Sequence, residues 1–246
     1  MLIFLEDMSL IEEKAQQVKL AALGRLSASI AHEIRNPVGA MSHAGQLLAE
    51  SDQLSAEDKR LTEIIRGNAD RVSTIINNVL QLSRREATRP ERLSLQEWLD
   101  EFRAEFCETM QFPLTRLTLT VPGEPLEVRA DPTQLHQIVW NLCDNAIRHG
   151  CADSNTAVVD VRAGRMVAGA RPFLEIGDRG PGVSAAEIDR IFEPFFTSGR
   201  GGTGLGLFLA RELAQTNGAS LLYESRAGGG SLFRLVFADP TRWELR

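Results

Sequence analysis

Apolar positions in the first third of the chain recur at alternating steps of three and four. Leu20, Ser27, Ile34, Met41 and Leu48 share one heptad position, and Leu23, Ile30, Pro37 and Ala44 share another. This is the pattern of a helix that seats one stripe in a bundle. A polar break, Glu50-Ser51-Asp52-Gln53-Leu54, comes next, and Ser55 with Asp58 three residues on has capping-box spacing. A second stripe then runs through Leu61, Ile65, Asn68, Val72, Ile75, Val79 and Leu82. Two long amphipathic helices with a short connection predict an antiparallel hairpin. Leu26, Ile64 and Ile76 widen the stripes beyond what one hairpin covers, so two hairpins are expected to pair as a homodimeric four-helix bundle. His32 lies five residues after Ser27, off the stripe and toward solvent. Pro37, in an otherwise unbroken helical stretch, predicts a bend one turn beyond it.

The pattern changes after Arg84-Arg85-Glu86-Ala87-Thr88-Arg89-Pro90-Glu91, a charged stretch with a Pro near its end that reads as a linker. Helical periodicity is expected over 95–110, strands at 117–121 and 126–128, and a helix from Asp131-Pro132 to His149, stopped at Gly150. Residues 156–162 and 172–176 read as a hairpin turning around Gly164 and Gly169. A helix over 207–217 and strands at 221–223 and 232–237 complete the half. This order predicts an α/β sandwich with a mixed, mainly antiparallel sheet and helices on one face. The expected divisions are 1–9, 10–85 (hairpin), 86–92 (linker) and 93–240 (α/β domain). Leu2-Ile3-Phe4-Leu5 reads as a strand with no local partner, the expected remnant of an upstream domain.

Composition narrows the function classes. The net charge of −6 gives no bulk attraction for nucleic acid or an anionic membrane. The three Cys, at 107, 143 and 151, form no CxxC pair and no disulfide framework, which fits free thiols in a reducing cytosol. No apolar run reaches the roughly eighteen residues of a membrane span, and the start lacks the basic region of a signal peptide.

Candidate chemistry lies in short stretches, each of which alone would pass as ordinary structure. Asn141 and Asn145 share a helix face, with Arg148 three residues further on: oxygen ligands for a cation, and a guanidinium for phosphate. Asp178-Arg179-Gly180-Pro181-Gly182 follows a strand. Its glycines admit a planar ligand, and its carboxylate could accept from an exocyclic amine. Ile191-Phe192-Glu193-Pro194-Phe195-Phe196 is rich in aromatics. Gly199-Arg200-Gly201-Gly202-Thr203-Gly204-Leu205-Gly206 exposes backbone N–H groups at a helix start, an anion-binding arrangement. Gly199, Gly201 and Gly204 also spell the dinucleotide fingerprint. That fold is excluded because the motif follows a Pro-broken segment and too little chain remains after Glu224. No P-loop and no catalytic loop of a Ser/Thr/Tyr kinase occurs.

Taken together in this order, the stretches resemble the sensor histidine kinases of two-component systems. His32-Glu33-Ile34-Arg35-Asn36-Pro37 resembles the H box, Asn141–Asn145 the N box, and Asp178-x-Gly180-x-Gly182 the G1 box. Phe192-x-Pro194-Phe195-Phe196 resembles the F box and Gly202-x-Gly204-Leu205-Gly206 the G2 box. The stretch from Leu20 to Ser51 is most similar to sensor kinases of the type IV pilus regulatory system. Asp7-Met8-Ser9 resembles the exit of a PAS sensor domain. The resemblance implies a dimerisation and phosphotransfer hairpin, then a Bergerat-type ATP-binding domain. His32 would be the phosphoacceptor, Glu33 its general base, and Asn36 would orient water for phosphatase action on a regulator. Asn145 would bind magnesium with Asn141 in support, and Arg148 would meet the phosphates. Asp178 would read adenine, flanked by Gly180 and Gly182. Gly202, Thr203, Gly204, Leu205 and Gly206 would hold phosphate beneath a lid over 197–203. A His149 where the family often has an aromatic is a local departure. The implied cofactors are ATP and magnesium, and the implied partners a second copy and a response regulator. The implied place is the cytoplasm, with membrane anchorage of a longer protein left open. Two other classes share parts of the pattern: ATP-driven clamps of the same fold, which carry an acid where this chain has Asn141, and inactive dimeric scaffolds.

Overall fold

The computed structural model describes residues 34–51, 54–83, 88–150, 157–166, 171–197, 202–226 and 228–239. The expectations for Leu2–Leu5, Asp7–Ser9, His32, Glu33 and the lid residues 198–201 lie outside them. The chain divides into two compact units, Met1–Glu86 and Ala87–Arg246.

In the first unit, α1 is helical over 34–49 and α2 spans Ala56–Ser83. The capping box at the start of α2 is reciprocal: Ser55 Oγ accepts from Asp58 N at 3.1 Å, and Asp58 Oδ2 accepts from Ser55 N at 3.3 Å. The positions that close the hairpin are not those of the heptad stripe. Val38 and Gly45 of α1 are buried, with Thr62, Ala69, Ile76 and Leu80 of α2. Small residues at Gly45 and Ala69 let the helices approach, and Arg35 Nη2 donates to Asn77 Oδ1 at 2.8 Å. The stripe residues Ile34, Met41, Leu48, Leu61, Ile65 and Val72 remain open to solvent, Met41, Leu48 and Ile65 at 49% each. The predicted stripe therefore faces outward from a single hairpin, where a second copy can cover it.

The second unit is a sheet with helices on one face. β1 (Glu91–Ser94) and β3 (Glu127–Ala130) form a two-stranded antiparallel ladder. The main sheet has the order β2-β4-β5-β7-β6, with β2 at Leu117–Thr120, β4 at Val159–Arg165, β5 at Pro172–Gly177, β6 at Ser220–Ser225 and β7 at Ser231–Val236. β2 and β4 are parallel and every other pair is antiparallel. The helices are α3 (Leu95–Thr109), α4 (Pro132–His149) and α5 (Gly206–Thr216). Val159, Val161, Ala163, Leu174, Ile176, Phe233 and Leu235 alternate inward and pack under Leu99, Phe106, Leu135, Ile138, Leu142 and Ala210. Cys107 and Cys143 are free thiols within this core, and burial pushes both pKa values up.

The opposite face of the sheet is polar. Glu175, only 2% exposed, sits between Arg162 and Arg234, its register partners on the two neighbouring strands, at 2.6 Å from each. Arg234 also pairs with Glu224.

Two expectations need correction. Gly164 lies inside β4, opposite Phe173, instead of in the turn. Its missing side chain makes room for the Phe173 ring, which a Cβ would meet at 2.9 Å. Part of the expected linker 86–92 is structured. Arg89 N donates to Asp131 Oδ2 at 2.9 Å and Glu91 pairs with Ala130, so the chain is tied to the second unit before residue 92.

Candidate nucleotide site

The site is built around the two ends of α4. Its N-terminus is capped by Asp131, whose Oδ1 accepts from Thr133 N at 3.0 Å and Gln134 N at 3.1 Å, with Pro132 supplying a preset φ at the first helical position. This anchors a helix that carries Asn141, Asn145 and Arg148 on successive turns. Asn141 Nδ2 donates to the Gly206 carbonyl at 3.3 Å, linking the N-box stretch to the first residue of α5. Asn145 is half-buried, and its side-chain amide has no hydrogen-bond partner among the described residues. Arg148 is engaged by Asp144 one turn back, at 2.8 Å, and is more than half exposed. A phosphate would have to compete with that carboxylate or share its guanidinium.

Beyond the C-terminus of α4 lies the loop that leaves β5. Asp178 is 3% exposed, and its Oδ1 accepts from Gly180 N at 2.8 Å and Ser231 N at 3.1 Å. Its Oδ2 has no partner among the described residues, so a buried carboxylate holds one acceptor in reserve. Gly180 packs against the end of α4: a Cβ there would overlap the His149 carbonyl and lie 2.8 Å from Gly150 Cα. The glycine is thus what lets this loop close on the helix.

The G2-like stretch meets the aromatic segment. Phe195 N donates to the Gly204 carbonyl at 2.9 Å. Gly204 has φ +69°, and a Cβ would approach Phe195 Cα to 2.7 Å, so both backbone and space demand glycine. Phe195 itself has φ +66°, a strained value for a bulky residue, held by this crossing. Leu205 is fully buried and its N–H donates to Thr203 Oγ1 at 3.4 Å. Arg190 lies over the Phe196 ring and Arg211 over Phe192.

Asn141, Asn145, Asp178, Gly180 and Gly206 are therefore gathered about one helix, with Thr203–Leu205 leading into α5. Asn36 is exposed on α1 in the other unit. Among the described residues, no group of three or more His, Cys, Asp or Glu could hold a metal by itself. An oxygen-seeking cation here would share its ligands with a phosphate. Sequence reasoning missed the partners of Asp178 on the far side: Ser231, and Arg226, whose Nη1 donates to the Asp178 carbonyl at 3.2 Å. The run Gly228-Gly229-Gly230, all at positive φ, was the available signal.

Comparison with known proteins agrees with this geometry. Residues 22–88 match the His Kinase A (phospho-acceptor) domain, and residues 130–241 match the family described as histidine kinase-, DNA gyrase B- and HSP90-like ATPase. The chain is 47% identical over 241 residues to the sensor protein kinase PilS of Pseudomonas aeruginosa, covering 98% of this chain and 45% of that protein. It is 30% identical over 224 residues to the sensor histidine kinase ZraS of Escherichia coli, covering 91% and 47%. The chain thus spans about half the length of these curated relatives. In fold it is similar to the histidine kinase ThkA, solved in complex with the response regulator TrrA, with TM-score 0.65 and 24% identity over 98% of this chain and 69% of that one.

Proposed function

Because the chain belongs to the sensor histidine kinases of two-component systems, we propose that it transfers the γ-phosphoryl group of ATP to His32 and passes it to an Asp of a response regulator. The observation that carries this is the presence of two unspent polar groups towards the end of α4: Oδ2 of the buried Asp178 beside the loop, and the Asn145 side-chain amide. One suits the adenine amine and the other a magnesium-bound phosphate. Gly202, Gly204 and Gly206 would offer backbone N–H groups to the phosphates at the start of α5, with Thr203 and Leu205 beside them. Gly180 and Gly182 flank the base, Asn141 braces this end, and Arg148 supplies positive charge.

Magnesium would neutralise charge on the transferred group, held by Asn145 together with phosphate oxygens and water. In the transfer, an imidazole nitrogen of His32 attacks the γ-phosphorus in line, ADP leaves, and Glu33 accepts the imidazole proton. The protein's work is alignment and charge balance. Asn36, exposed on α1 and four residues after His32 in sequence, would orient the water that hydrolyses the phosphorylated regulator.

The open stripes of α1 and α2 support a homodimer. The boundaries 10–85 for the hairpin, 86–92 for the linker and 93–240 for the ATP domain remain our assignment, with the linker shortened as described. Among the described residues, no helix is long and apolar enough to cross a membrane. We assign the chain to the cytoplasmic part of a longer sensor whose residues 1–9 would end a PAS-like domain. A clamp-type ATPase is disfavoured by Asn141 in place of an acid and by the phospho-acceptor match over residues 22–88.

The test is His32→Gln with γ-labelled Mg-ATP. Label uptake should vanish while ATP binding persists. Acid-labile label on the variant would show that another nucleophile, such as His43, is used.

A further inference from the structure

We infer that Asp160, on the face of the sheet opposite the helices, is a positioning residue for the nucleotide site, acting through Arg226 on Asp178. The inference rests on the reading of Asp178 as the adenine acceptor.

Asp160 is an outward position of β4, paired in register with Gly177, the residue just before Asp178. It lines a polar cleft of about 410 Å³ with Thr118, Arg179 and Arg226. Its Oδ1 accepts from Thr118 Oγ1 at 2.7 Å, and its Oδ2 lies 2.6 Å from Arg226 Nη2 and 3.4 Å from Arg179 Nη2. The other terminal nitrogen of Arg226 reaches across Gly177 to the Asp178 carbonyl at 3.2 Å. A Cβ at Gly177 would lie 3.2 Å from that nitrogen, so the glycine leaves the crossing uncrowded.

Arg226 also opens the turn that closes over Asp178. Its N–H donates to the Gly230 carbonyl at 3.1 Å, and the next residue, Ser231, donates to Asp178 Oδ1 at 3.1 Å. Arg226 thus fixes Asp178 twice: its guanidinium holds the Asp178 backbone, and its own N–H closes the turn that holds the Asp178 side chain. Asp160 aims that guanidinium. It also balances Arg179, which would otherwise repel Arg226 across the same cleft. Removing its charge frees Arg226 and loosens its hold on the Asp178 backbone, which carries the acceptor oxygen. The helix-covered core is on the other side of the sheet, so the loss should fall on nucleotide binding and spare the fold.

The experiment measures autophosphorylation kinetics and the nucleotide-free melting temperature of the full chain for Asp160→Asn, Arg226→Gln and the double variant, beside Asp178→Asn. Each single variant should raise the KM for ATP about tenfold, the scale of one charge-assisted hydrogen bond. The kcat should stay within about twofold, because binding and not transfer is affected. The double variant should be no worse than the weaker single, since both break one chain of contacts. An unchanged KM in Asp160→Asn and Arg226→Gln, with a raised KM in Asp178→Asn, overturns the positioning role alone. An unchanged KM in Asp178→Asn overturns the adenine reading beneath it. A fall in kcat and melting temperature that tracks the rise in KM marks Asp160 as merely structural and also overturns the inference.

Discussion

Replacing Asp178 with Asn removes one acceptor and little else. The Asn carbonyl can take the place of Oδ1 and keep the N–H donors of Gly180 at 2.8 Å and Ser231 at 3.1 Å. Its NH2 then stands where Oδ2 stood, a donor where the adenine amine also donates. Leaving buried donors face to face costs about 1–3 kcal/mol. At 1.4 kcal/mol per decade, that is a loss of about five- to 150-fold in ATP affinity. Asp178→Ala differs, because it strips the acceptor from both backbone N–H groups. Ser231 is buried and Gly180 half-buried, so about 2–4 kcal/mol of domain stability should go with it. Calorimetric titration with Mg-ATP and thermal melting without nucleotide separate the two effects. Asn should weaken binding at near-constant melting temperature, and Ala should lower both. ATP affinity in Asp178→Asn equal to that of the parent chain would refute the reasoning.

The remaining predictions concern other parts of the chain. Ile65→Lys places an ammonium in the open stripe of α2 and forfeits about 1.5–3 kcal/mol of apolar burial per copy, so light scattering should find a monomer with helicity retained. Asn36→Ala should spare autophosphorylation and weaken dephosphorylation of the regulator; equal loss of both would show that the roles are not split. Gly204→Ala forces a left-handed backbone at about 1–2 kcal/mol as well as a clash with Phe195, and should lower both melting temperature and ATP affinity. Burial alone would raise the Asp160 pKa, but the hydrogen bonds from Thr118 and Arg226 and the charges of Arg226 and Arg179 outweigh it and hold the carboxyl below its ordinary value. Its charge, and with it the hold on Arg226, is therefore present above the ordinary carboxylate range and lost as pH falls through the lowered value. The excess KM for ATP of Asp160→Asn over the parent chain should shrink as the pH falls through that range.

What sequence determined by itself is what short-range chemistry determines. Asn141 and Asn145 share a face because a helix turns every 3.6 residues. Asp131-Pro132 and Ser55-Asp58 start helices because their side chains reach N–H groups two or three residues away. The alternation in β4 and β7 marks an inward face wherever those strands go. Sequence also showed that α1 and α2 each carry an apolar stripe, but not which contact the stripe makes. Only packing decided that Val38 and Gly45 close the hairpin while Ile34, Met41 and Leu48 stay open, because a heptad repeat does not distinguish a partner within the chain from one outside it. β1 hid in a charged stretch because its strand character comes from pairing with β3 and not from its own residues. The parallel join of β2 to β4 likewise depends on which edges meet. The hold on Asp178 is the clearest case. Its carboxylate and glycines are legible as a motif, yet the groups that fix it, Arg226, Ser231 and Asp160, stand 18 to 53 positions away and are brought to it only by the register of β4, β5 and β7. Hydrogen bonding across a sheet is a long-range property, and local pattern carries no record of it.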